Sequence, residues 1–280
     1  MSIMKQSLKN IKILTVLCVM FLAACSSTDQ ELESPYEGRA VESIYNEAAA
    51  LLDQKEYQQA ASLFEEVERQ YPYSQWATRA ELMAAFAYYK AGYFDESVLA
   101  VDRFIELHPG HEDIDYALYI RALSFYDQIS DVARDQEMTR MAMEDLQLLV
   151  RRFPDSRYAR DARFKLDLTN DHLAGKEMEI GRYYLTRNHV NASINRFRTV
   201  VQEYQTTTHV PEALHRLVEA YLTLGLKDEA TRVAAVLGYN YPGNIWYERS
   251  YQLLDDKQRA RIVADRDWVD RTVDSLFKPD

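Results

Sequence analysis

His108, His111, Glu112, Asp113 and Asp115 form the one stretch of this 280-residue chain that gathers imidazoles and carboxylates at a spacing a metal ion could use. The surrounding His108-Pro109-Gly110-His111 is turn chemistry, and acids just after a turn favour the start of a helix. The segment therefore reads as a junction between helices, and no metal is expected there. Glu65-Glu66 and Asp255-Asp256 are carboxylate pairs of the type glycoside hydrolysis uses, but that reaction needs two carboxyl groups roughly 5–10 Å apart across a cleft. Both pairs fall in helical stretches and read as solvated faces. A phosphate-cradling glycine loop, a Gly-x-Ser-x-Gly elbow and a His-Glu-x-x-His helix are absent from the sequence. No catalytic residue and no cofactor is expected, and a glycan hydrolase built on helices is the enzyme reading kept as a rival.

Two cysteines, Cys18 and Cys25, complete the candidate nucleophiles. Lys5, Lys9 and Lys12 precede an apolar run from Ile13 to Ala23, shorter than the roughly 20 residues of a membrane span. The run closes on Leu22-Ala23-Ala24-Cys25, which resembles the lipobox of bacterial lipoproteins. That resemblance implies a diacylglyceryl thioether on Cys25, removal of residues 1–24 and acylation of the new amino terminus, and several acyl chains anchor firmly where one binds marginally. Ser26 follows in place of the aspartate associated with inner-membrane retention, so the expected address is the outer membrane, lipid-anchored and facing the periplasm. Cys18 leaves with the signal, so the mature chain holds neither thiol nor disulfide, which suits an oxidising compartment. Loss of residues 1–24 removes three lysines and no acid, moving the net charge from −11 to −14. That balance excludes a nucleic-acid partner and leaves the lipid as the membrane attachment.

The elements that would position any binding residue follow from composition. Residues 25–38 are polar, acidic and broken by Pro35 and Gly38, a flexible lipidated tether. From Arg39 onward glycine and proline are rare and apolar residues recur at three and four, which predicts helix throughout. A template then repeats: tyrosines near the end of one helix, a turn, a small residue in a second helix, an aromatic, and a closing proline. Tyr88, Gly92, Ser97, Phe104 and Pro109 show it most fully. Ala48, Tyr57, Ala60, Phe64 and Pro72 repeat it, as do Tyr221, Gly225, Ala230, Leu237 and Pro242; divergent copies end at Pro154 and at Tyr204. The pattern resembles the tetratricopeptide repeat. The predicted fold is all-α, a right-handed superhelical solenoid of five such repeats, with repeats 1–3 in residues 39–156, repeats 4–5 in 157–243 and a C-terminal helical cap or extension in 244–280.

Two intervals between repeat ends are long. One holds Asp127 to Thr139, read as a loop on one face. The other places Tyr158 to Arg187 in a single helical stretch, either a continuous spine or one kinked at Gly175 or Gly181. Among the twenty tyrosines, Tyr57, Tyr88, Tyr183 and Tyr221 fall at positions facing the inter-helix core. Tyr89, Tyr116, Tyr119 and Tyr126 lie on first helices, the elements that line the concave groove of this architecture, where a phenol gives contact area with a hydrogen-bonding tip for an extended peptide or a partner helix. Tyr88, Tyr89, Lys90, Tyr119 and Arg121 are the candidate peptide groove, with the two cations offered to a carboxylate. Arg196 stands where other repeats place Phe64 or Val101; either Phe197 fills the core and Arg196 is exposed, or Arg196 reaches a partner carboxylate, since an unpaired buried guanidinium is costly.

Together with the lipobox, Ala-Tyr-Tyr-Lys at 87–90, Asp102-Arg103-Phe104-Ile105, Ile114-Asp115-Tyr116, Leu149-Val150-Arg151-Arg152-Phe153-Pro154-Asp155-Ser156 and the insertion at 131–136 resemble the BamD family, lipoproteins of the β-barrel assembly machinery, over about residues 40–240. The resemblance implies a non-enzymatic scaffold that holds the periplasmic POTRA domains of the barrel subunit through its C-terminal repeats and receives unfolded outer-membrane proteins at its N-terminal repeats, beside other lipoproteins of the complex. It also implies that Asn195, Arg196 and Arg198 contact the barrel subunit. A pilotin-like or cell-envelope repeat lipoprotein escorting a secretin or a peptidoglycan enzyme is the other interaction reading. Residues from about 245 to 280 exceed the family's expected ending.

Overall fold

The computed structural model describes residues 39–264 with Trp268 and Arg271. Cys25, the signal at 1–24, the tether at 25–38 and most of 265–280 lie outside the described residues. Among those described there are twelve α-helices and no strand. Ten form consecutive pairs: α1 (Val41–Asp53) with α2 (Tyr57–Gln70), α3 (Gln75–Ala91) with α4 (Phe94–Leu107), α5 (Ile114–Tyr126) with α6 (Glu137–Arg152), α7 (Ala159–Thr186) with α8 (Val190–Glu203), and α9 (Val210–Thr223) with α10 (Lys227–Asn240). Two short helices, α11 (Ile245–Leu253) and α12 (Asp256–Ala264), follow.

The repeat is written in the backbone as well as in the side chains. Each second helix of a pair stops at one residue, Tyr71, His108, Phe153, Tyr204 or Tyr241, with φ between −124° and −132° and ψ between 46° and 62°, its N–H still donated four residues back. Proline follows four of them and drives the preceding residue out of helical ψ. Tyr204 adopts the same geometry before Gln205, so packing enforces the stop as well. Between the helices of four pairs a single residue has positive φ, namely Lys55 at 66°, Gly92 at 80°, Asn188 at 62° and Gly225 at 75°. In the third pair the insertion replaces that turn.

Apolar faces merge into three clusters. Ile44, Phe64 and Val67 centre the first, Phe104, Leu118 and Leu146 the second, and Met178, Phe197, Leu214 and Leu237 the third. α7 takes part in two of them, through Ala162 in the second and Ala174 and Met178 in the third. It is one continuous helix of 28 residues, about 42 Å long at 1.5 Å per residue, so the spine is realised and no break falls at its glycines. A Cβ at Gly181 would lie 2.4 Å from the Phe197 ring, and one at Gly175 would lie 3.2 Å from His209 Nε2. Both glycines permit close approach of neighbours rather than a kink.

The core stripe Ala174, Met178, Gly181, Leu185 corrects the reading of Tyr183. Two residues from Gly181 is about 200° around a helix, and Tyr183 is 55% exposed. The insertion also ends earlier than Thr139, because α6 already begins at Glu137. Its closing residue Gln136 is buried; the side-chain amide donates to the carbonyls of Asp131 and Arg134, while Oε1 accepts from Thr139 Oγ1 at 2.9 Å and lies 2.8 Å from His172 Nδ1. Lys176 donates to Ala133 O at 2.9 Å. The loop is thus stapled to α7.

Helices α11 and α12 do not continue the pairing; both lie against α10, and α11 also against α9. Asn244 caps α11 by accepting from Trp246 N at 2.9 Å. Asp255 and Gln258 form a reciprocal capping box at α12, each side chain accepting the other's N–H. Leu254 is buried in the third cluster, with Trp246, Tyr247 and Ile262 packed around it. Trp268 lies under the Arg261 guanidinium at 4.6 Å.

Candidate functional site

First helices of successive repeats pack on one another, α1 on α3 and α3 on α5, so residues turned away from their partner helices line a common wall. Tyr89, in the last turn of α3, donates to Asp127 Oδ2 at 2.7 Å just beyond α5. Tyr119 on α5 donates to Asp161 Oδ2 at 2.6 Å on α7, and the same oxygen receives Lys165 Nζ at 2.6 Å. Tyr158, at the start of α7, lies nearly parallel to Tyr119 and to Tyr116, with centroids 4.9 and 5.1 Å away and interplanar angles of 22° and 26°. The Arg157 guanidinium sits 4.7 Å from the Tyr158 ring and Lys165 5.4 Å from that of Tyr126. An aromatic ribbon therefore crosses three repeats, with the Tyr89 and Tyr119 hydroxyls anchored on carboxylates and the Tyr158 hydroxyl accepting from Arg157.

The anchoring fixes what the ribbon can do. Burial first, then the hydrogen bonds to Asp127 and Asp161, push the Tyr89 and Tyr119 hydroxyls far above the usual phenol range; burial and Tyr158 raise Tyr116 to about 12. Burial raises Asp161 too, but Lys165 and Tyr119 outweigh it and hold its carboxyl below the ordinary value. These phenols stay neutral and the acid stays charged. The surface offers flat rings and hydrogen bonds, with no activated base among these groups.

The structure separates the other predicted groove residues. Tyr88 turns the opposite way from Tyr89, back onto the first cluster, where burial and Glu65 of α2 raise its hydroxyl to about 12. Arg121 lies outside the wall, which corrects its assignment to the groove. Its Nε and Nη2 bind Asp145 of α6 at 2.8 and 2.7 Å, and Nη1 binds Asp102 of α4. Two residues past Tyr119, it faces the second helices instead. Lys90 is exposed beside Tyr89 and makes no ion pair among the described residues.

On α8, Phe197 is fully buried and Arg196 reaches the Glu177 carboxylate of α7 at 3.0 and 3.3 Å. Phe197 thus fills the core, and the half-exposed Arg196 is held by a carboxylate of the chain itself. Tyr184, Ala192, Asn195, Arg196 and Thr199 enclose a depression of about 250 Å³. Arg198 is exposed and its charge acts on Tyr221. The His108 cluster is used internally: His108 Nε2 lies 3.1 Å from the buried Glu81, and His111 Nδ1 accepts the Asp113 N–H.

Three features were missed from sequence. Tyr158 had a signal, since Pro-x-Ser/Asn-x-Trp/Tyr recurs at 72–76, 154–158 and 242–246, with Ser74, Ser156 and Asn244 each accepting an N–H at the helix start. The Asp127 and Asp161 anchors, separated from their tyrosines by 38 and 42 residues, carry no local pattern. Neither does a cleft of about 470 Å³ where Tyr126, Ile129 and Val132 face Leu168, His172 and His209, because the insertion must fold before it exists.

Paired helices with recurrent stops, stacked so that first helices carry an aromatic ribbon, define a tetratricopeptide solenoid. Within that class, the family model described as YfiO, outer membrane lipoprotein, matches residues 38–237, and the chain belongs to this family. Similar proteins named outer membrane protein assembly factor BamD include one from Caulobacter vibrioides, 47% identical over 88% of this chain and 81% of the relative. Another, from Rickettsia prowazekii, is 43% identical over 90% of this chain and 100% of the relative. A third, from Neisseria meningitidis serogroup A, is 34% identical over 86% and 94%. A solved thermophilic tetratricopeptide protein of Thermus thermophilus covers 80% of this chain and 98% of its own at 17% identity, with a TM-score of 0.34.

Proposed function

We propose that the chain is a non-enzymatic scaffold subunit of the outer-membrane β-barrel protein assembly complex, tethered through lipid on Cys25 and facing the periplasm. The observation that carries this reading is the match to relatives named as outer membrane protein assembly factors over 86–90% of the chain. The aromatic ribbon supports the substrate half: Tyr89, Tyr119 and Tyr158 receive an extended segment of an unfolded outer-membrane protein, and exposed Lys90 meets its terminal carboxylate, a task Arg121 cannot share while held by two aspartates. Repeats 4 and 5 hold the POTRA domains of the barrel subunit, with Asn195, Arg196 and Arg198 as contacts. Photo-cross-linkers placed at Tyr89, Tyr119 and Arg196 in cells test both halves. Capture of nascent barrel proteins at the two tyrosines and of the barrel subunit at Arg196 is expected. Failure at the tyrosines with success at Arg196 removes the substrate half, and co-purification of a secretin in place of the barrel subunit removes the whole reading.

A further inference from the structure

The corner between the third and fourth repeats is basic on a body that is strongly acidic. Arg151, Arg152, Arg157, Arg160 and Arg163 are all exposed, and none takes part in a salt bridge among the described residues. Elsewhere Arg103, Arg121, Arg182, Arg196, Arg216 and Arg261 each hold a carboxylate of the chain itself. Local acids offset the corner only in part. Asp161 is already paired with Lys165, Asp113 and Asp115 act on Tyr158 beside Arg157, and within residues 151–163 only Asp155 remains, which leaves the five guanidiniums in excess.

Helix electrostatics account for two of the five. Arg151 and Arg152 end α6, where cations are favoured. Arg160 and Arg163 sit in the first turns of α7 and Arg157 just before it, at the positive end of a 28-residue helix, where a cation is disfavoured and an incoming anion is favoured. Three features show that the side chains are held ready. Arg152 stacks 5.2 Å from the Phe153 ring, Arg157 packs on Tyr158, and Arg163 donates to Pro154 O at 2.9 Å. No lysine falls within residues 151–163, and the planar guanidinium fork matches carboxylates two bonds at a time.

We infer that this arginine corner, which adjoins the aromatic ribbon where Arg157 packs on Tyr158 and lies apart from the α8 depression, docks an acidic, extended segment of a partner protein. An anionic bilayer is the weaker fit, because it would press the whole acidic body against like charge, whereas a peptide need touch only the corner.

The test uses the full lipidated protein in nonionic detergent and a short fluorescent peptide rich in Asp and Glu, followed by anisotropy at low and physiological salt. Wild type is expected to bind, more weakly as salt rises, and to ignore a lysine-rich peptide of equal length. The triple variant Arg151→Gln/Arg152→Gln/Arg160→Gln removes side chains that make no hydrogen bond among the described residues, so it should fold with a melting temperature slightly below wild type, Arg151 and Arg152 losing their favourable place at the end of α6; its affinity should fall about tenfold. Should the triple variant misfold, Arg160→Gln alone supplies the comparison, with a fall of about two- to threefold. Equal affinity of wild type and a folded variant overturns the proposal. So does a corner-dependent response to vesicles of phosphatidylcholine and phosphatidylglycerol without any peptide binding, which assigns the corner to lipid.

Discussion

At the scale of single residues, Arg121 shows how a side chain suited to ligand binding can be spent on the fold. Asp145 is 8% exposed and faces a bidentate guanidinium, so Arg121→Met should leave a buried carboxylate without its cation and lower unfolding free energy by about 3 kcal/mol in urea titrations. Adding Asp145→Asn should restore much of that loss; if the single variant is as stable as wild type, the pair is solvated and the correction to the groove is mistaken. Glu219 behaves differently. Its hydrogen bond to His215, then Arg216, outweigh burial and hold its pKa at about 2 against an ordinary 4.5. A carboxyl depressed on folding gives stability that is complete above pH 4.5 and lost as pH falls toward 2, so melting curves of Glu219→Gln should be flatter than wild type across that window. Sequence spacing placed Arg121 and Tyr119 on one helix correctly, but a two-residue offset turns them to opposite sides, and only packing tells which side is the wall.

Elements were more legible than residues, for a physical reason. Small residues, turn residues and prolines punctuate most of the pairs, and the four stops that precede a proline show this punctuation acting on the backbone directly, while packing sets the fifth at Tyr204. What stayed open was glycine, which from sequence signals either a break or a close approach. Gly181 is the second kind: Ala there would drive a methyl into the Phe197 ring. Gly181→Ala should therefore destabilise by about 1–3 kcal/mol through overpacking between α7 and α8, and Phe197→Leu in the same chain should recover part of it; additive losses would show the two positions to be independent. Lys55 gives the opposite sign. It occupies at φ 66° the turn position that Gly92 and Gly225 fill elsewhere, so Lys55→Gly should raise the stability of the first pair by about 1 kcal/mol, read as a higher melting temperature.

For the molecule as a whole, stacked repeats are held by neighbours, and cooperativity depends on what joins the blocks. α7 is that joint, since Ala162 belongs to the second cluster and Ala174 to the third, with the exposed Asp167 between them. The insertion provides a second link through the Gln136–His172 and Lys176–Ala133 contacts. Wild type should unfold in urea as one transition because neither block can melt without releasing part of α7. Proline at an interior position removes one helical hydrogen bond and clashes with the preceding turn, at a cost of about 3 kcal/mol. Asp167→Pro should therefore uncouple the blocks, giving two transitions by circular dichroism while hydrogen exchange still protects Phe104 on one side and Phe197 on the other. A single transition, merely displaced to lower urea, would mean that the stapled insertion carries the coupling, and combining Asp167→Pro with Gln136→Ala should then split it. A spine that holds the aromatic ribbon and the α8 depression in fixed register is useful only if both are occupied together, so the uncoupled variant should keep each cross-link of the proposed function while losing joint capture of substrate and barrel subunit on one molecule.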